Sequence, residues 1–423
     1  MGVDFRWQDG EEQSWLVQPP ERKPRRLRRV VLPALGLVAL TLLIGGGILW
    51  NRAQYGLRAA QADLQAVVDA EVATLQSGDQ EVYLSLQDFN DRQWYRYQEL
   101  LWDALEQATE EAGNQTSPRR IVDLDLRESH AWVEVEYDLD GAPYRRWQFY
   151  RLISGTWRRT SPDLDFLGER MEKETRHLRF VYHGREADVI DLIGEEMQRA
   201  TERLLADFGL SEQEQRLTFE FLPSVEAQPA SYSDARFFVP SPLLLGVRAD
   251  GYPDEELLEN LTQSTGLYLA LVKSTLYQEG DAGTNLESES PTLPAGQSGS
   301  SWVMLRGVVA WAVDRELKRP ALPQIWHDWL QEAVAADQLL PLTALWPPHS
   351  LATDRDVGLA IAQAQAVAAY VAELRGSDGV PSLLESLGRR LSAAETIEAA
   401  AGMDLDAFEA GWREFLRQSM ELR

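Results

Sequence analysis

The chain contains no cysteine. That removes disulfides, thiolate nucleophiles and every Cys-ligated zinc or iron–sulfur centre. Histidine is nearly as scarce, with five in 423 residues (His130, His177, His183, His327 and His349), which nearly excludes a multi-histidine metal site. Cations are outnumbered, 41 Lys and Arg against 67 Asp and Glu, for a net charge of −26. A nucleic-acid surface needs clustered cations to neutralise phosphates, so an acidic chain argues against one. There is no nucleophile elbow, phosphate loop or dinucleotide fingerprint. Gly296-Gln-Ser298-Gly lies in a low-complexity stretch and lacks the elbow's flanks.

Charge is also missing from one long run. Val30 to Trp50 carries no ionisable side chain over 21 residues. At about 1.5 Å per helical residue it spans the roughly 30 Å hydrocarbon core of a bilayer. Arg22, Lys23, Arg25, Arg26, Arg28 and Arg29 precede it, which by the positive-inside rule keeps the N-terminus cytoplasmic and the C-terminal domains outside. The run exceeds the usual apolar region of a cleaved signal peptide, and Ile48-Leu49-Trp50 is a poor cleavage context. The expectation is a single-pass cell-membrane protein: a polar tail over 1–29, an anchor over 30–50 in the lipid bilayer, and an acidic extracytoplasmic body.

The body divides by periodicity. Residues 54–76 and 79–111 carry apolar side chains at three- and four-residue steps and read as helices. The period then drops to two over Val122–Leu126, Trp132–Tyr137, the stretch holding Trp147 and Phe149, and a short strand containing Trp157. Residues 163–177 read as a charged, helix-prone connector. Beyond it come a strand at Leu178–Tyr182, a helix at 187–208, a strand at Leu217–Leu222, and edge strands at Ala235–Pro242 and Leu244–Val247. Helices follow at 254–277, 302–318, 324–336, 355–375, from Pro381, and at 393–401, with a last apolar stripe from Leu405. Asp254 is placed to cap the first of these, and Ser392 with Glu395 makes a capping box. Residues 279–301, rich in Gly, Ser, Pro, Thr and Glu, read as a mobile loop.

Helices followed by an antiparallel meander, ending in Arg151-Leu-Ile-Ser-Gly-Thr-Trp157, resemble the NTF2-like cone over 52–166. The strand-helix-strand entry resembles the gluzincin-type peptidase MA-like domain over 176–420. So do the paired helices and a C-terminal segment running from Ala364 through Tyr370-Val-Ala-Glu-Leu-Arg-Gly376 to Ala399-Ala-Ala-Gly-Met-Asp-Leu-Asp-Ala-Phe-Glu-Ala-Gly-Trp412. Together these imply an α+β fold class: a single transmembrane helix, an NTF2-like cone, then a mostly helical peptidase-like domain.

That family's chemistry uses two histidines at i and i+4 as zinc ligands, a glutamate base beside the first, and a third ligand on the next helix. Against this pattern, the ligand positions hold Glu259 and Gln263, the base position holds Asn260, and the third-ligand position holds Arg306. The resemblance therefore implies an inactive metallopeptidase homologue with no catalytic residues, metal or cofactor, in which Glu259 pairs with Arg306 or both stay solvated. The expected role is binding or scaffolding at the cell surface toward a protein or peptide ligand. A hydrolase with a noncanonical carboxylate site in the same cleft, and a structural spacer, stand as alternatives.

Overall fold

The computed structural model describes residues 51, 54–111 (backbone only from 103), 118–139, 141–210, 216–224, 234–274, 302–346, 351, 353–389 and 391–421 (backbone only at 421). The tail expected over 1–29, the anchor expected over 30–50 and the loop expected over 279–301 lie outside the described residues. Two compact units follow one another along the chain, Met1–Ala62 and Asp63–Arg423. In the first, residue 51 and residues 54–62 are helical.

The second unit is mixed α+β and opens with a helix over 63–77 (α1). The single helix expected at 79–111 is two: α2 (Gln80–Ser85) and α3 (Arg92–Glu111). The break falls at Asp88, a fully buried carboxylate that accepts from the Asn90 amide, Arg151 and Thr160, so its side chain competes with helical backbone bonding. Four antiparallel strands follow in sequence order: β1 (Arg120–Arg127), β2 (His130–Leu139), β3 (Ala142–Ile153) and β4 (Thr156–Thr160). One face carries Val133, Val135 and Tyr150 against Leu64 and Val68 of α1. The other carries Trp132 and Phe149 against Phe166 and Leu167 of a short helix, α4 (Leu164–Leu167).

The expected connector at 163–177 thus holds α4 and then a strand, β5 (Arg170–Glu174). Its charged side chains are exposed and bridge to neighbouring strands, as with Glu172 and Arg179 at 2.6 Å. β5 opens a second sheet, antiparallel to β6 (Leu178–His183), which runs parallel to β7 (Leu217–Leu222) and β8 (Arg236–Pro240). The parallel pairing of β6 and β7 requires a crossover, supplied by α5 (Ala187–Asp207), whose Ile190, Ile193, Met197 and Leu204 are buried. Phe180, Phe219 and Phe237 stack across three adjacent strands with centroids 6.0 and 5.1 Å apart. The second edge strand expected at Leu244–Val247 is mostly a helical turn, α6 (Pro242–Leu245). Pro242 at its first position fixes φ for a helix and needs no N–H. Two residues, β9 (Val247–Arg248), then pair with Tyr144 and Arg145, on the edge of β3 that β4 leaves open.

The rest is helical: α7 (Glu255–Lys273), α8 (Trp302–Leu317), α9 (Gln324–Ala335), α10 (Asp354–Arg375), α11 (Gly379–Gly388), α12 (Ala393–Ala401) and α13 (Leu405–Glu421). The caps form as the sequence predicts. Asp254 accepts from the Leu257 amide at 2.7 Å, and Ser392 and Glu395 satisfy each other's backbone. Among the described residues, the stretch Asp354–Gly388 is long and apolar enough to cross a membrane, with a mean hydropathy of 1.4. Its most apolar window is 67% buried inside the protein, and α10 packs against α8, α9, α11 and α13, the setting of a central core helix.

Candidate functional site

A cleft of about 620 Å³ lies where α7 and α8 face the segment leading into α9. It gathers all four positions singled out in the sequence: Glu259, Asn260, Gln263 and Arg306. Helical spacing explains the first three. Residues 259 and 263, and likewise 260 and 264, are one turn apart and share a face. On α8, Arg306 and Ala310 are spaced in the same way. The height of α8 is fixed by Gly307, where an added Cβ would sit 2.4 Å from the Ala364 Cβ and 2.5 Å from its carbonyl carbon. The two backbones therefore touch beside Arg306, which only glycine permits. Opposite stand Pro320, Pro323 and Trp326.

Two of the polar side chains that α7 turns to the cleft, Glu259 and Gln263, are engaged. One Glu259 oxygen meets Arg319 at 2.6 Å, and the other accepts from the Gln263 amide at 2.9 Å. The same Gln263 nitrogen donates to the Ala321 carbonyl at 3.0 Å, tying α7 to the turn beyond α8. Arg319 also bridges to Glu255 at 2.9 Å and donates to that residue's carbonyl oxygen. Arg319 bridges to Glu259, where the sequence left open a pair with Arg306 or a solvated carboxylate. The Arg306 guanidinium instead lies 5.3 Å from the ring of Trp302, one helical turn before it. Burial raises the pKa of Glu259 above its ordinary value, and Arg319 opposes the rise.

These donors do not fit a zinc ion. Zinc takes thiolate, imidazole or carboxylate ligands in a tetrahedral set. The four positions present one carboxylate already in a salt bridge, two amides and a cation. Nor are the histidines placed to help. His130 accepts from Arg151 at the start of β2 (3.2 Å), His183 lies 3.5 Å from Glu186, and His327 is on α9. His349 lies outside the described residues. Among the described residues no group of three or more His, Asp or Glu side chains is arranged to hold a metal.

Sequence reasoning missed Arg319, Trp326 and the Pro320–Pro323 wall. Proline just past the basic end of α8 signalled a helix stop, but nothing local marks Arg319 as a partner for Glu259, 60 residues away. No protein-family model, curated protein or solved structure matches the chain.

Proposed function

We propose that this chain is a membrane-anchored extracytoplasmic binding protein: a span at 30–50, an NTF2-like module, and a peptidase MA-like domain whose cleft binds a polypeptide segment without cleaving it. The observation that carries this reading is the cleft itself. It collects Glu259, Asn260, Gln263 and Arg306 in one place, yet the carboxylate is committed to Arg319 and Gln263. A neutral amide at position 260 takes no proton from water, and a guanidinium at 306 repels a cation. What the cleft offers is a polar wall on α7, an apolar floor of Leu267, Val309 and Ile361, and a Pro-Trp wall opposite. Such a surface suits an extended peptide, apolar along one side and hydrogen-bonding along the other.

The test uses the full-length chain in mild detergent and a fluorescently labelled casein digest, with zinc present. Anisotropy is expected to rise saturably, the peptides to stay intact, and Trp326→Ala to weaken binding by about tenfold, the loss given by one well-packed aromatic anchor. Cleavage of the digest, or binding indifferent to Trp326→Ala, would overturn the reading.

A further inference from the structure

A second unusual group of charges lies between α1 and the first sheet. Glu71 falls on the same helical stripe as Leu64, Val68 and Leu75, so folding carries its carboxylate into the interior, fully buried. One oxygen meets Arg159 of β4 at 3.2 Å. The other, Oε1, is buried and has no hydrogen-bond partner among the described residues.

Two further guanidiniums share this face. Arg146 precedes Gln148 and Tyr150 at alternate positions of β3, all turned toward α1, and Arg119 has the inward parity of Ile121 at the start of β1. Arg119 and Arg146 are close enough to Glu71 and Arg159 to feel their charge. Arginine only donates, so the Gln148 amide must turn its oxygen to Arg146 (3.2 and 3.1 Å) and its nitrogen to the Tyr150 oxygen (2.7 Å). That leaves the Tyr150 hydroxyl as another donor on the same surface. Among the described residues, three cations thus face one carboxylate, in a chain that is otherwise strongly acidic. Burial and mutual repulsion push the Arg146 pKa down to about 9, still charged at pH 7. All three arginine residues are partly buried, and the Arg159 side chain is 15% exposed.

We propose that this face binds a small oxyanion that carries a hydroxyl proton, of which hydrogen phosphate is the simplest: Arg119, Arg146 and Arg159 hold the negative oxygens, and the O–H donates to Glu71 Oε1. The excess of cations selects a dianion, since fork-shaped guanidiniums match planar pairs of oxygens. The orphaned acceptor selects against an anion with no proton to give. This site is separate from the α7–α8 cleft and does not depend on how that cleft is read.

Inorganic phosphate and sulfate, at matched ionic strength and pH 7, separate the two clauses. Titration calorimetry on the full-length chain in detergent is expected to show phosphate binding at least about tenfold tighter than sulfate, the effect of one charge-assisted hydrogen bond. Arg146→Gln is expected to weaken phosphate by a similar factor. Glu71→Gln, whose amide can donate, is expected to erase the preference by strengthening sulfate, which a purely structural Glu71 would not do. Absence of binding by either anion, equal binding of both to the parent chain, or a preference unchanged in Glu71→Gln would overturn the proposal; should Arg146→Gln fail to fold, the parent and Glu71→Gln titrations still decide it.

Discussion

The two charged regions of this protein solve opposite problems. In the α7–α8 cleft, Glu259 is balanced: Arg319 and Gln263 take its two oxygens, and Arg319 is shared with the exposed Glu255. Between α1 and the first sheet, Glu71 is outnumbered by Arg119, Arg146 and Arg159, and one of its oxygens has no partner among the described residues. A surface whose charges cancel locally can fade into a neutral recognition cleft. On the proposal above, a face whose charges do not cancel among the described residues is completed by an anion from outside.

The comparison is sharpest under truncation. Glu71→Ala removes a fully buried carboxylate, the one that faces this arginine cluster among the described residues, and is expected to cost roughly 3–5 kcal/mol, the usual loss when one partner of a buried pair is deleted. Glu259→Ala breaks a partly exposed pair, its side chain 23% exposed, and is expected to cost under about 1 kcal/mol. Chemical denaturation of both variants checks the contrast, and comparable losses would remove it. Gly307→Ala tests what positions the cleft. With the Ala364 backbone in the way, overpacking is expected to cost about 1–3 kcal/mol and to displace Arg306, read as lower stability together with weaker peptide binding. Ser392→Ala, remote from both regions, calibrates the scale: losing the capping box of α12 is expected to cost about 1 kcal/mol and to leave both sites unchanged.

The smallest effect is in pH. Glu259 is held above its ordinary value of 4.5 chiefly by burial. A carboxyl raised in the folded state is most favourable when protonated, so its contribution declines as pH rises from 4.5 through the raised value. Glu259→Gln should therefore gain on the parent across that window and level off above it, by less than about 1 kcal/mol after allowing for solvent screening. Glu385, held below its ordinary value by Lys273 at 2.6 Å, runs the other way. Its contribution is present above 4.5 and is lost as pH falls, an internal control for the acid limb.

Much of the architecture was legible because it is written in local patterns. Alternation at Val133, Val135 and Tyr137 marked β2, and the three-four spacing of Ile193, Met197, Ala200 and Leu204 marked α5. Asp254, Ser392 and Gly402 punctuated the helices where their caps now stand, with Gly402 in the left-handed conformation. The errors fall where a distant partner overrides local preference. Asp88 breaks the helix at 79–111 because Arg151 and Thr160 arrive from the sheet. Residues 170–174 form a strand, despite their charges, because β6 offers an edge. The same holds for function: helical spacing brought Glu259, Asn260 and Gln263 together, but Arg319 and the Glu71 cluster depend on segments joined only by folding.

Zinc affinity of the full-length chain tests the central claim most directly. Metal analysis after equilibration with zinc and gel filtration is expected to give well below one zinc per chain, with no difference between the parent and Glu259→Gln. One tightly held zinc per chain, lost in Glu259→Gln, would contradict the account and return the cleft to catalysis.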